Sequence, residues 1–160
     1  MAVDMFIKIG DLKGESADKS HPKEINVLGW SWGVSNSGSA HTGGGAGAGK
    51  ANVRDLNFTK HVDKCSPSLV LACCKGTHYD TAKLVVRKAG GKPLEYLKIT
   101  LSKVMVSSVT TGGDGDEDLL TESVTLNFAK VKVEYTEQKP DGSEGEKPSV
   151  TYNITENDSE

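Results

Sequence analysis

The segment 24–62 constrains the fold more than any other part of the chain. Its first stretch, EINVLGWSWGVS, places Leu28, Trp30, Trp32 and Val34 on one face at period two and Gly29, Ser31, Gly33 and Ser35 on the other. The next, NSGSAHTGGGAGAGKA, offers little to bury and much backbone freedom, and NVRDLNFTKHV then resumes alternation with Leu56 and Phe58. This reads as strands joined by an extended surface loop over 35–51. A strand that is bulky on one face ordinarily carries charges on the other, because that face meets water. Here the second face is small. Either another backbone packs against it, as in a second buried sheet face, or it lines a smooth surface past which something slides.

The rest of the chain alternates in the same way. Met5, Ile7 and Ile9 share a face of a first strand, and a polar stretch over 10–23 follows. Ala82, Leu84 and Val86 form another set, then Leu97, Ile99 and Leu101, with a turn over 89–93 between. Three stretches change parity: Ile25 and Val27 against Leu28 to Val34, Leu101 against Val104 and Val106, and Phe128 against Val131, Val133 and Tyr135 around Ala129. Such switches predict bulges, the device by which sheets curl. Ser66, Pro67 and Gly76 bracket one helix near 66–75, read as an N-cap hydroxyl, a first-turn proline and a terminal glycine, with Leu69, Val70 and Cys73 on one face. Val150, Tyr152 and Ile154 make a short last strand, and the terminal ENDSE reads as frayed. The expected fold is mainly β: an antiparallel β-barrel of two curled sheets with one flanking helix.

With 160 residues, the chain is expected to form one domain, 1–160, that buries roughly 70% of its unfolded surface. A formal charge of −3, with Lys, Asp and Glu interleaved, gives no basic stripe for nucleic acid. No apolar run approaches the roughly 20 residues that span a bilayer, so a soluble protein without membrane insertion is expected. The N-terminus lacks the basic region, apolar stretch and cleavage site of a signal peptide. Cys65, Cys73 and Cys74 read as buried free thiols made in a reducing compartment.

Several motifs resemble chemistry without completing it. Gly44, Gly49 and Lys50 fit a phosphate-binding P-loop, but Ala51 stands where a magnesium-holding hydroxyl belongs, and a strand pattern follows where a helix is needed. Asp114, Asp116 and Asp118 open like a calcium loop, yet Leu119 replaces its glycine and Thr125 its bidentate glutamate. Cys65, Cys73, Cys74 and His78 lack paired zinc-ligand spacing. No catalytic constellation, metal or cofactor is therefore expected. The alternatives are a nucleotide-binding enzyme using 44–50, or a monomeric ligand-binding barrel with Trp30 and Trp32 as a stacking platform. Lys83, Arg87, Lys98 and Lys103 make the middle strands basic, whereas Asp114, Asp116, Glu117 and Asp118 make the following loop acidic. These are solvated faces, or the two sides of a heterologous contact between copies.

The opening AVDMFIKIGDLKGES, the strand EINVLGWSWGVSNSGSAH, the loop GGGAGAGKANV with DLNFTKHVDKCSP after it, and VSSVTTGGDGDEDLLTESVTLNF resemble the haemolysin-coregulated protein (Hcp) family, the tube subunits of bacterial type VI secretion systems. The resemblance implies a β-barrel with a flanking helix that closes head to tail into hexameric rings. The rings stack into a tube, leave the cell without a signal peptide and carry small effectors in the channel. Its implied partners are other copies of the chain, effectors, and sheath and tip proteins. On that resemblance Gly29, Ser31, Gly33 and Ser35 become candidate channel lining. His41, Thr42, Gly43, Gly44, Gly45, Gly47, Gly49 and Lys50 become a candidate ring-stacking loop.

Overall fold

A computed structural model of the chain describes residues 3–38 and 48–160. Its elements run β1 (Val3–Ile9), β2 (Ile25–Asn26), β3 (Gly29–Ser31), β4 (Val34–Gly38), β5 (Ala48–Val53), β6 (Leu56–His61), α1 (Ser66–Lys75), β7 (His78–Lys88), β8 (Leu94–Gly112), β9 (Thr121–Asn127), β10 (Lys130–Tyr135), β11 (Ser149–Asn153) and β12 (Asp158–Ser159). Every strand pair among them is antiparallel. The expected class holds: two curled sheet layers, left open rather than closed into a barrel, with one helix alongside.

β8 organises the layers. Its first half lies between β7 and β10, and its second half pairs with β9, which continues through β6 to β3. Ile99 and Leu101 are buried, and so are Val104 and Val106; the parity reverses at Lys103, whose φ is 55°. The neighbouring edge reverses at the same level, where Phe128 gives way to Val131 and the Ala129 N–H donates to the Ser102 carbonyl at 3.0 Å. Both parity switches are therefore real, although the stretch expected as one bulged strand through Ala129 is divided there into β9 and β10. They let one strand keep its apolar residues inward while the sheet folds over on itself. A second register shift, between Val106 and Ser108, bends it further.

The third parity switch takes another form. A single bulged strand was expected over 24–35; the segment is instead β2, β3 and β4, each with a different partner. β2 pairs with β1, β3 with β6, and β4 with β5. The handover falls at Val27 and Leu28, whose N–H groups donate to Met5 and Thr59 carbonyls at 2.9 and 2.8 Å. Trp30 and Trp32 pack partly buried on the core, but Leu28 and Val34, assigned to the same bulky face, are 46% and 58% exposed. The expected loop over 35–51 is also shorter at both ends, since Ser35, Asn36, Ala51 and Asn52 join the β4–β5 ladder. Backbone pairing needs no apolar side chains, so small residues conceal it.

Arg87 and the C-terminus differ from expectation too. Asp158 and Ser159 pair with β11, and the Glu160 N–H donates to the Thr151 carbonyl at 3.0 Å, so the tail is stitched down rather than frayed. Arg87 is 8% exposed and donates to Asp4 at 2.9 Å and to both oxygens of Asp18 at 3.1 and 2.5 Å. Of the three thiols only Cys65 is buried; Cys73 is half-buried and Cys74 exposed.

The helix forms as expected but caps differently. Gly76, at φ 64°, supplies the left-handed C-cap. Cys65 holds the N-cap position without a side-chain capping bond, and Leu69 and Ala72 face inward with Cys73 beside them, leaving Val70 45% exposed. Ser66 has another task. Its hydroxyl donates to Glu122 at 2.6 Å and accepts from Lys60 Nζ at 3.2 Å and from the Asp63 N–H at 2.9 Å. Lys60 is fully buried, with Nζ against Glu122 Oε1 and 3.0 Å from Asp63. Burial alone would lower the lysine pKa, but the bonds to Glu122 and Asp63 raise it above the ordinary value. The ammonium is held, not released, and it fastens α1 to the inner side of β6 and β9.

Removing one partner of such a buried pair strands the other charge. Lys60→Met is expected to cost about 3–5 kcal/mol in urea unfolding, whereas Lys60→Met combined with Glu122→Leu should recover most of that loss.

Candidate functional site

The strands β3, β6, β9 and the second half of β8 present one continuous outward face. Leu56, Phe58 and Lys60 of β6 and Glu122, Val124 and Leu126 of β9 are buried, so the alternate residues point away from the core. Register sets them in rows. Gly29, Thr59, Ser123 and Thr110 form one; Ser31, Asn57, Thr125 and Ser108 form the next; His61, Thr121 and Gly112 form a third. None of these residues is an acid, a lysine or an arginine.

The polar groups at the centre of this face, Asn57, Ser123 and Thr125, are bonded to one another. Asn57 Nδ2 donates to Ser123 Oγ at 3.1 Å and to Thr125 Oγ1 at 2.9 Å, and Ser123 Oγ donates to Asn57 Oδ1 at 3.3 Å. At one border Asp55 accepts from Ser107 at 3.3 Å and from Asn127 at 2.9 Å. Lateral bonding of this kind leaves few strong donors or acceptors to grip a passing surface. A shallow depression of about 470 Å³ lies between Leu28, Thr59, Thr110 and Thr121.

The residues anticipated from sequence do not all meet here. Gly29 and Ser31 lie on the face; a Cβ on Gly29 would sit 3.4 Å from Thr59 Oγ1. Gly33 lies beyond β3, its carbonyl accepting from the Arg54 N–H at 3.0 Å, and Ser35 belongs to β4, opposite Asn52. His41, Thr42, Gly43, Gly44, Gly45 and Gly47 fall outside the described residues. Gly49 and Lys50 stand in β5, followed by β6 rather than by a helix N-terminus. Asn57, Thr59, Ser108, Thr110, Ser123 and Thr125 were missed. Their signal was present, a hydroxyl or amide alternating with buried apolar residues, but it acquires meaning only once the strands are placed side by side.

The charged groups separate along β8. Lys83 and Lys103 are exposed, and Lys98 lies 3.5 Å from Glu95. Asp114, Asp116, Glu117 and Asp118 are exposed in the turn between β8 and β9, where the Glu117 N–H donates to the Asp114 carbonyl at 3.0 Å. Arg87 stands apart from this set, since its charge is committed inside the chain. Trp32 is likewise committed, its indole N–H donating to the Arg54 carbonyl at 2.9 Å.

The one buried thiol, Cys65, is restrained. Burial and the hydrogen bond to Asp63 push the Cys65 thiol up to about 12, which keeps it protonated and unreactive. Among the described residues no cluster of His, Cys, Asp and Glu is placed to hold a metal, and no helix is long and apolar enough to cross a membrane.

Fold and face together define a curled β protein with a shallow sheet surface whose three central rows carry no acid, lysine or arginine. The family described as "Type VI secretion system effector, Hcp" matches residues 6–135. Protein hcp1 of Pseudomonas aeruginosa is 62% identical over 159 residues, which is 98% of each chain. Among solved structures, one described as a type six secretion system protein superposes with a TM-score of 0.94 at 30% identity, covering 99% of this chain and 100% of that one. Hcp1 from Salmonella typhimurium superposes at 0.81 with 37% identity over 100% of both chains. The chain belongs to the Hcp family of type VI secretion proteins.

The inward and outward parity of β6 can be checked directly. Asn57→Ala should cost about 0.5–1.5 kcal/mol, the worth of exposed polar bonds, whereas its neighbour Phe58→Ala should cost about 3–5 kcal/mol by urea denaturation.

Proposed function

We propose that the chain is a non-enzymatic structural subunit of the type VI secretion inner tube. Copies close head to tail into hexameric rings, the rings stack, and the β3, β6, β9 and β8 face lines the channel in which small effectors travel. The observation that carries this reading is the absence of fixed charge from the three rows of that face, together with the lateral hydrogen bonding of Asn57, Ser123 and Thr125 at its centre. A cargo that must enter, ride and leave is served by a surface with many weak contacts and no deep pocket. Gly29 and Ser31 belong to that lining, and Gly33 and Ser35 continue toward its border.

The residues 41–50 serve the contact between successive rings. The exposed Lys83 and Lys103 and the half-buried Lys98 of one copy and the acidic turn of Asp114, Asp116, Glu117 and Asp118 of another supply charge complementarity, without Arg87. The subunit leaves the producing cell through the type VI apparatus, and sheath and tip proteins are its further partners.

Native mass spectrometry should find a hexamer of the 17.0 kDa chain, with annular particles by negative stain. A strictly monomeric protein at high concentration would overturn the proposal. Thr125→Lys should leave the ring intact and abolish co-purification of coexpressed type VI effectors; loss of the ring instead would place that face at a subunit contact.

A further inference from the structure

The segment 10–24 between β1 and β2 is folded on itself and tied down at its tip by two different fastenings. Within it, the Gly14 N–H donates to the Lys23 carbonyl at 2.8 Å, the Ser16 N–H to Glu24 at 3.0 Å, and the Lys23 N–H to Ser16 at 2.8 Å. The first fastening is Asp18, gripped by Arg87, which also holds Asp4 of β1. The second is His21, 7% exposed and stacked on Phe6 with ring centroids 4.6 Å apart and planes 16° from parallel. Its Nδ1 lies 2.8 Å from Glu24 Oε2, and its Nε2 lies 2.6 Å from Glu95 Oε1 of β8.

Both ring nitrogens thus face carboxylate oxygens. A neutral imidazole has one N–H and one lone pair, so it can donate to one carboxylate while its lone pair opposes the other; only the ring carrying both protons donates to both. The charges around it are Glu24 on the same segment, Asp18 beside it, Glu95 and Lys98 on β8, Arg87 on β7 and Asp4 on β1. Arg87 is itself spent on Asp4 and Asp18, which leaves Glu24 and Glu95 to the imidazole, with Lys98 assisting Glu95 at 3.5 Å. Although burial would raise it, the Glu95 carboxyl is held below the ordinary value by the bond from His21 and the nearby cations. It therefore stays an anion and does not supply the missing proton itself.

We propose that a proton held on His21 fastens the end of the 10–24 segment to β8, and that its loss frees residues 22–24, while the Arg87 mooring of Asp18 stays in place and keeps the Ser20 and His21 N–H groups, which donate to Asp18 Oδ1 at 2.9 and 3.2 Å. The two fastenings differ in kind. The Asp18 carboxyl, hydrogen-bonded by Arg87, is held at about 2, so that mooring is unchanged across the range in which a histidine titrates. The His21 fastening needs both ring protons, since only then do Nδ1 and Nε2 both donate to their carboxylates. Glu24 leads directly into Ile25 and so into β2 and β3, the strand that starts the polar face. The protonation of one ring is in this way connected to the entry of that strand. The connection stands on the geometry of the segment alone and does not depend on ring assembly.

The test is amide hydrogen exchange on the full chain between about pH 5.5 and about pH 8.5, corrected for intrinsic rates, with the ring nitrogens of His21 followed by NMR. Protection at Gly14, Ser16 and Lys23 should fall about tenfold as the ring loses its proton, the worth of one charge-assisted hydrogen bond. Glu95→Gln should abolish that step, because a glutamine amide can donate to the lone pair of a neutral ring and satisfy it without the second proton. A wild-type protein whose protection at these amides does not change with pH would overturn the proposal, and so would a Glu95→Gln variant that keeps the step.

Discussion

The fold depends on one strand facing the core along both of its halves. β8 achieves this by spending a residue: Lys103 adopts a left-handed backbone, which for a side chain with a Cβ costs roughly 1 kcal/mol, and the inward parity reverses there. The cost is offset because Ile99, Leu101, Val104 and Val106 all reach the same core. The opposite edge reverses in step between Phe128 and Val131, so the two strands bend together and their pairing survives. Without that coordinated reversal, half of β8 would expose its valines, and the layers formed by β10 and β9 could not share a strand.

What the residue pattern disclosed follows from the range of the interactions. Parity switches are local, and those at Leu101 to Val104 and around Ala129 were legible because alternation is written in neighbouring residues. The helix was legible for the same reason, from Pro67 and Gly76. Long-range partnerships were not. Nothing near Ser66 shows that its hydroxyl bonds to a glutamate 56 positions away, and nothing near Lys60 shows that this lysine is buried against the same carboxylate. Arg87 looked like a surface cation because its acceptors, Asp4 and Asp18, lie 83 and 69 positions upstream. The polar face was half legible: Gly29 and Ser31 were conspicuous within one strand, but Thr59, Ser123 and Thr110 become their row-mates only through register.

The two sides of β6 and β9 perform opposite tasks a few ångströms apart. Inward, Lys60 and Glu122 concentrate full charges in a dry site and hold α1. Outward, Asn57, Ser123 and Thr125 display only dipoles already engaged with one another, and the Thr59 hydroxyl donates to the Gly29 carbonyl. Period-two geometry makes this division possible, since successive residues of a strand never share a face. On the proposed reading, the inner side provides stiffness and the outer side low adhesion, and neither property compromises the other.

The ribbon of β4 and β5 has a different character. Among the described residues its two strands pair only with each other, and beneath Trp32, Val34, Ala51 and Val53 an apolar gap of about 220 Å³ separates them from Val131, Val133, Val150 and Tyr152. A two-stranded ribbon has marginal stability of its own, and this one rests on an incompletely filled bed. Its hold on the body includes the apolar contact of Trp32 and Val53 with the core, and opening at that contact would bare a strip of valines while the core beneath kept its shape.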